Sequence, residues 1–287
     1  MSKAMSMECV SSGLDIFKHK PVQTSVESGY YVECRPVASL TDNSPIEFVI
    51  KGSPEHYLDL SDTHLHVQAQ IVREDGSQLQ PEDDGLVTFE QLAIHTLFSE
   101  CDLMINNCLV TTSSNTYAYR AYIETLLNYD KATKKSQLEL SMFYPHSTGD
   151  FEFTKDNKSK TLEKRRKKVN RSKICDLIGK THVDLSFNEQ YILNGVDVRF
   201  RFVRSKDNFV LNACPPNGQA QVHPYKVKII HAGLFVRKLK INPSIMLAHA
   251  SVLEKTTSKY HVKRVLTKTH SAARGTLNVN IDSLFSN

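Results

Sequence analysis

The 287 residues are 40% hydrophobic and 23% charged, the balance of a folded globular protein and not of a disordered tail. A chain of this length can bury one large core or two smaller ones, and with no run of about eighteen apolar residues it offers no membrane-spanning helix. The net charge of +5 is local: eight Lys or Arg lie between Lys160 and Lys173 against Glu163 alone, which leaves the remainder near −2.

Residues 1–20 hold no sustained period and are expected to form a flexible N-terminal arm. They lack the apolar core of a secretory signal, which predicts synthesis and retention in the cytoplasm or nucleus. Six cysteines, Cys9, Cys34, Cys101, Cys108, Cys175 and Cys214, form no CxxC pair, so neither a zinc knuckle nor a redox motif is expected, and the thiols should be reduced. Cys101 and Cys108 could face each other across a hairpin, but a reducing compartment disfavours the bridge. Ile46–Ile50 reads as a short strand, and DLSDT at Asp59–Thr63 as a turn capped by its own side chains. From His64 the pattern alternates, with Leu65, Val67, Ala69 and Ile71 inward and His64, His66, Gln68 and Gln70 outward, until the Asp75-Gly76 turn. His64 and His66 share a face, yet no third ligand of suitable spacing accompanies them, and solvent-facing strand residues are expected there.

The stretch Leu86–Asp130 organises the rest. It predicts a strand with Leu97, Ser99, Cys101, Leu103 and Ile105 on one face and Phe98, Glu100, Asp102 and Met104 on the other, covered on both sides. A reversal follows at Asn106-Asn107, then a loop, then a helix capped by Asn115 or Thr116. Tyr119, Tyr122, Ile123, Leu126 and Leu127 recur at helical spacing and predict the buried stripe of that helix, packed as support for the core. Pro145 and Gly149 mark an irregular connection after it. The basic stretch has two readings of equal standing. Lys164, Arg165, Arg166, Lys167, Lys168, Arg171 and Lys173 could contact packaged nucleic acid or direct nuclear import, or they could be a solvated loop. Gly179-Lys180-Thr181 mimics the end of a phosphate-binding loop, but Ile174 stands where that loop needs its first glycine. Val183–Phe187 and Tyr191–Val203 read as strands around an Asn194-Gly195 hairpin, with Val198, Phe200 and Phe202 inward and Arg199 and Arg201 outward. Asn212–Gln221 is the best linker. A long strand follows from His223, then a helix opened by Pro243 whose expected buried side holds Ile245, Ala248, Val252 and Leu253, then a strand-like run from Tyr260.

Three segments carry a resemblance: YLDLSDTHLHV from Tyr57, HTLFSECDLMIN from His95 and SSNTYAYRAYIETLLNYD from Ser113. With their surroundings, the chain resembles the double jelly-roll major capsid proteins (hexons) of Polinton/Maverick-type elements and adintoviruses. Asn107 stands where that family more often has glycine. The resemblance implies an all-β double jelly-roll capsid fold, with short helices in the inter-strand connections. It divides the chain into an arm (1–20), a first jelly roll (21–211), a linker (212–221) and the start of a second jelly roll (222–287), incomplete because too few strands fit after the linker. It also implies a homotrimer that tiles an icosahedral shell with partners such as a penton protein, located in the virion capsid and assembled in the host cytoplasm or nucleus, with possible non-specific contact to packaged DNA and no membrane insertion. No GxSxG elbow, HExxH helix or signature cysteine is present. The expectation is a structural protein with no catalytic residue, cofactor or metal; a domesticated capsid-derived host protein or a jelly-roll binding module is the alternative.

Overall fold

The computed structural model describes residues 23–41, 44–111, 114–145, 160–214 and 224–269. The expected N-terminal arm and most of the expected linker lie outside these residues. Ten strands are found among them: β1 (Val26–Cys34), β2 (Ile46–Ile50), β3 (His56–Arg73), β4 (Val87–Phe89), β5 (Phe98–Ile105), β6 (Cys108–Leu109), β7 (Cys175–Lys180), β8 (Val198–Arg204), β9 (Leu211–Ala213) and β10 (Tyr225–Ile241). They form one four-stranded sheet in the order β1-β10-β3-β7, a second in the order β2-β8-β5-β6, and a small β4-β9 pair. Every pairing is antiparallel. The chain passes repeatedly from one large sheet to the other, so eight strands make a complete jelly roll.

The alternating pattern explains why the sheets face one another. In β2, Ile46, Phe48 and Ile50 are buried, and they pair with Phe202, Phe200 and Val198 of β8. Across the sandwich stand Leu65, Val67, Ala69 and Ile71 of β3 with Leu234 and Val236 of β10, all in one core cluster. Phe200 and Phe202 stack at 6.2 Å, and Phe98 tilts against Phe202 at 5.0 Å. In β5 a bulge between Phe98 and Glu100 turns Phe98 to the core side with Cys101 and Leu103. The opposite face is also covered, since Asp102 is buried beside Arg201. At Asn106-Asn107 both residues take positive φ, 47° and 65°, the backbone of a type I′ hairpin turn that asparagine tolerates.

Three expected elements differ. Asp59–Thr63 is no separate turn but lies inside β3, which runs unbroken to Arg73 with a register shift opposite Phe235 and Arg237. Val183–Phe187 is not a strand; Asp184–Phe187 forms a single 3-10 turn. The Asn194-Gly195 turn joins the two sheets instead of two arms of a hairpin: Ile192 bridges Leu58 before it, and β8 enters the other sheet after it. Gly52 makes this corner possible, because a Cβ there would stand 2.4 Å from the Gly195 carbonyl carbon.

The expected boundary at 212–221 is corrected by β10. This strand pairs with β1 along Val26–Cys34 and with β3 from His56 to Arg73, so it fills the interior of the first jelly roll and does not open a second. Proline and glycine mark a break in the ladder, and a loop within one sandwich breaks it as well as a domain linker does.

Short helices occupy the connections: α1 (Ala93–Thr96), α2 (Tyr117–Asn128), α3 (Lys131–Lys135), α4 (Lys160–Val169), α5 (Asp207–Val210) and α6 (Pro243–Leu253). After α6 the chain is extended through residue 269 without joining a sheet.

Candidate functional site

Helix α2 lies against β5 and α1 with the opposite face from the one its apolar spacing predicts. Tyr117, Ala118, Ala121, Glu124 and Thr125 are buried, whereas Tyr119, Ile123, Leu126 and Leu127 are exposed. Of the expected stripe Tyr122 lies against Phe143 at 6.3 Å and Tyr119 against Phe209 at 5.6 Å, and neither ring enters the main core. Both stripes obey the 3.6-residue period; the inward one is chosen because small alanines allow close approach and because its polar members find partners.

Those partners form a buried chain. Arg120 donates from Nε to Glu124 at 2.8 Å and reaches Asp184 through Nη2 at 2.7 Å. The other Glu124 oxygen lies 2.7 Å from His182 Nδ1. Burial works against ionisation of Glu124, but the bond from His182 and the Arg120 charge outweigh it and hold its carboxyl below the usual range. An ionised carboxylate only accepts, so His182 Nδ1 carries the proton. Tyr117 Oη accepts from the His182 amide at 3.4 Å and lies 3.0 Å from His95 Nδ1. His95 is held neutral: burial, then the adjacent His182, push its pKa well below the usual value. Sequence reasoning missed this group. Its one local signal is the i, i+4 pair Arg120–Glu124 on the side away from the apolar stripe.

The extended segment after α6 closes over this network. Val265 N donates to Asp184 Oδ1 at 3.3 Å, and Thr116 Oγ1 donates to the Thr267 carbonyl at 3.3 Å. Thr116 is the N-cap residue, but its hydroxyl serves this contact and makes no cap bond. A cavity of about 210 Å³ remains beneath, with Cys101, Arg120 and His182 in its lining.

Helix α6 is the second unusual surface. No residue of Pro243–Leu253 is buried, which corrects the expected inward set of Ile245, Ala248, Val252 and Leu253. Ile245 and Met246 touch Tyr57, Leu239 and Ile241, and His249 Nδ1 lies 2.9 Å from Tyr57 Oη. Leu247, Val252 and Leu253 are exposed.

The basic stretch folds as α4 and a following 3-10 turn, so it is not a loop. Arg165 is 1% exposed and donates to the Phe89 carbonyl at 3.0 Å; it is an anchor for α4 and no phosphate contact. Lys164 and Lys168 lie 5.6 and 5.7 Å from the Tyr144 ring centre, and Lys167 pairs with Glu163. Lys167 and Arg171 are largely exposed. Gly179-Lys180 ends β7, where a Cβ on Gly179 would meet Ser141 Oγ at 2.9 Å; that glycine serves packing. His66 pairs with Asp176, and His64 lies 3.8 Å from Asp62. Among the described residues no cluster of three His, Cys, Asp or Glu could hold a metal. Cys101 is buried and Cys108 exposed, and both are free thiols.

Eight strands in two facing sheets, with helices confined to the connections, can be set beside solved structures. A chain of the Sputnik virophage superposes with a TM-score of 0.52 at 10% identity, over 82% of this chain and 53% of its own. The Faustovirus major capsid protein superposes at 0.50 with 11% identity, over 87% and 59%. The fold is the jelly roll of viral capsid proteins. The chain spans little more than half the length of either solved chain. An uncharacterized protein of Caenorhabditis elegans is 27% identical over 128 residues, 42% of this chain and 30% of that protein. No protein-family model matches the chain. The inward side chains of both sheets are spent on the core.

Proposed function

We propose that the protein is a capsid building block of the double jelly-roll type, acting by assembly and not by catalysis. The observation that carries this reading is the complete pair of sheets, β1-β10-β3-β7 against β2-β8-β5-β6, in a fold shared with a virophage chain and a major capsid protein. In this reading the subunit forms homotrimers that tile an icosahedral shell, together with a penton protein at the vertices. Each contact is repeated by symmetry, so modest interfaces accumulate into a closed container. The segments from Tyr57, His95 and Ser113 support an origin in Polinton-type elements or adintoviruses. The place of action is then the virion capsid, after assembly in the host cytoplasm or nucleus. Lys164, Arg166, Lys167, Lys168, Arg171 and Lys173 are the cations of α4 and its following turn proposed to touch packaged DNA.

Negative-stain imaging of the purified full chain tests the reading: trimeric capsomers and curved or closed arrays are expected, and a uniform field of single subunits would refute it. The worm relative supports a second reading, a capsid-derived host protein that keeps the fold without building shells. That reading predicts the uniform field.

A further inference from the structure

Strand β8 passes into α5 through Arg204, Ser205 and Lys206, and two cavities share this turn as a wall. One, of about 560 Å³, is lined by these three residues together with Lys226 of β10. The other, of about 360 Å³, is lined by the same three with Asn115, Tyr119 and Phe209. Both fall in the range of small-molecule sites, about 300–1,000 Å³.

The two cavities differ in chemistry. The first holds three cations, and Asp207 is the one carboxylate in its lining among the described residues. Asp207 accepts from the Val227 amide at 3.1 Å, and Arg204 Nη2 is held by the Val227 carbonyl at 2.8 Å. An excess of fixed positive charge in a concave site draws an anion. Ser205, in the shared wall, has a buried hydroxyl with no hydrogen-bond partner among the described residues, an uncommon state for a buried polar group. The second cavity is aromatic. Tyr119 and Phe209 are exposed, with ring centres 5.6 Å apart and planes inclined at 61°, so a flat ring can stack on one and meet the edge of the other. Asn115 adds an amide that both donates and accepts.

We infer that the two cavities form one site for a nucleotide, with the phosphate in the basic cavity and the base on the Tyr119–Phe209 shelf. The combination selects this ligand class. An acidic peptide or an anionic headgroup would use the cations and leave the rings idle, whereas a nucleotide carries both a phosphate and a flat ring. Stacking accepts any base, so little preference among bases is expected. No residue of α4 lines either cavity, and the site stands whether or not the chain builds shells.

Equilibrium dialysis of the full chain against labelled thymidine monophosphate tests the site, with thymidine and inorganic phosphate as separate probes. One nucleotide per chain is expected, bound about ten-fold or more tightly than either half alone. Lys206→Glu removes a cation and Phe209→Ser a ring face, both at exposed positions. Each variant should keep the parent melting temperature and weaken nucleotide binding by about ten-fold, the scale of one lost stacking contact. Tyr119→Ser repeats the aromatic test on a different helix. Oligothymidylate that displaces the nucleotide would assign the site to a nucleic-acid strand, and failure to displace it would assign the site to a free nucleotide. Phosphate bound as tightly as the nucleotide, or full affinity in the folded Phe209→Ser and Tyr119→Ser chains, would overturn the assignment of the base shelf. Absence of saturable binding at millimolar nucleotide would overturn the site itself.

Discussion

Glu124 accepts from Arg120 on one oxygen and from His182 on the other, and Arg120 in turn reaches Asp184, so each buried charge in the chain is compensated. Removing one member strands the others. Arg120→Met should therefore lower the free energy of unfolding by about 3–5 kcal/mol, the cost of an uncompensated buried charge, as read by urea denaturation. His95 adds a pH dependence whose sign is fixed. Its folded pKa is depressed from 6.5, so between these values the unfolded chain binds the extra proton, and the stability that His95 contributes at neutral pH is lost as pH falls below about 6.5. Glu124 is shifted the same way from 4.5, and its contribution is lost only in stronger acid. The urea midpoint should fall between pH 7.5 and 5.5 in the parent and fall less in His95→Gln; equal falls would contradict the assignment. None of this group was legible in the sequence beyond the Arg120–Glu124 spacing, because His182 and Asp184 follow Glu124 by more than fifty residues and no local pattern links them.

Strands were legible where alternation meets a two-sheet core. Leu65, Val67, Ala69 and Ile71 are buried as their spacing predicts, and so are Val198, Phe200 and Phe202. Helices were legible in position but not in orientation. In α2 the larger apolar stripe loses the interior to Ala118 and Ala121, since close approach of the helix to β5 and α1 leaves no room for leucine. Ala121→Leu should cost about 1–3 kcal/mol by overpacking, whereas Leu127→Ser should change monomer stability by no more than about 0.5 kcal/mol, as surface changes do. The reverse ranking in thermal denaturation would show that the helix sits with its other face inward. For α4, charge density gave the cations but not their employment, and Arg165 lies in the interior because Phe89 offers it a carbonyl. Lys167→Glu combined with Arg171→Glu should weaken DNA retention and flatten its salt dependence. Retention unchanged across a salt series would assign α4 to packing alone.

At the scale of the whole molecule, the sandwich is closed by a strand that follows the apparent linker. Sequence could not show this, because β10 joins its partners β1 and β3 across most of the chain's length, and strand order within a sheet leaves no trace in local composition. Leu234 of β10 is fully buried, and Leu234→Ala should destabilise the entire jelly roll by about 2–5 kcal/mol in a single transition. A separate early transition would instead mark β10 as part of another unit. The same closure leaves α2 and α6 outside the core with apolar side chains exposed, and the proposed function joins such subunits into trimers. Sedimentation equilibrium of the full chain across a wide concentration range tests this most directly: a species of three times the 32.5 kDa chain mass is expected, and a single 32.5 kDa species at every concentration would contradict it.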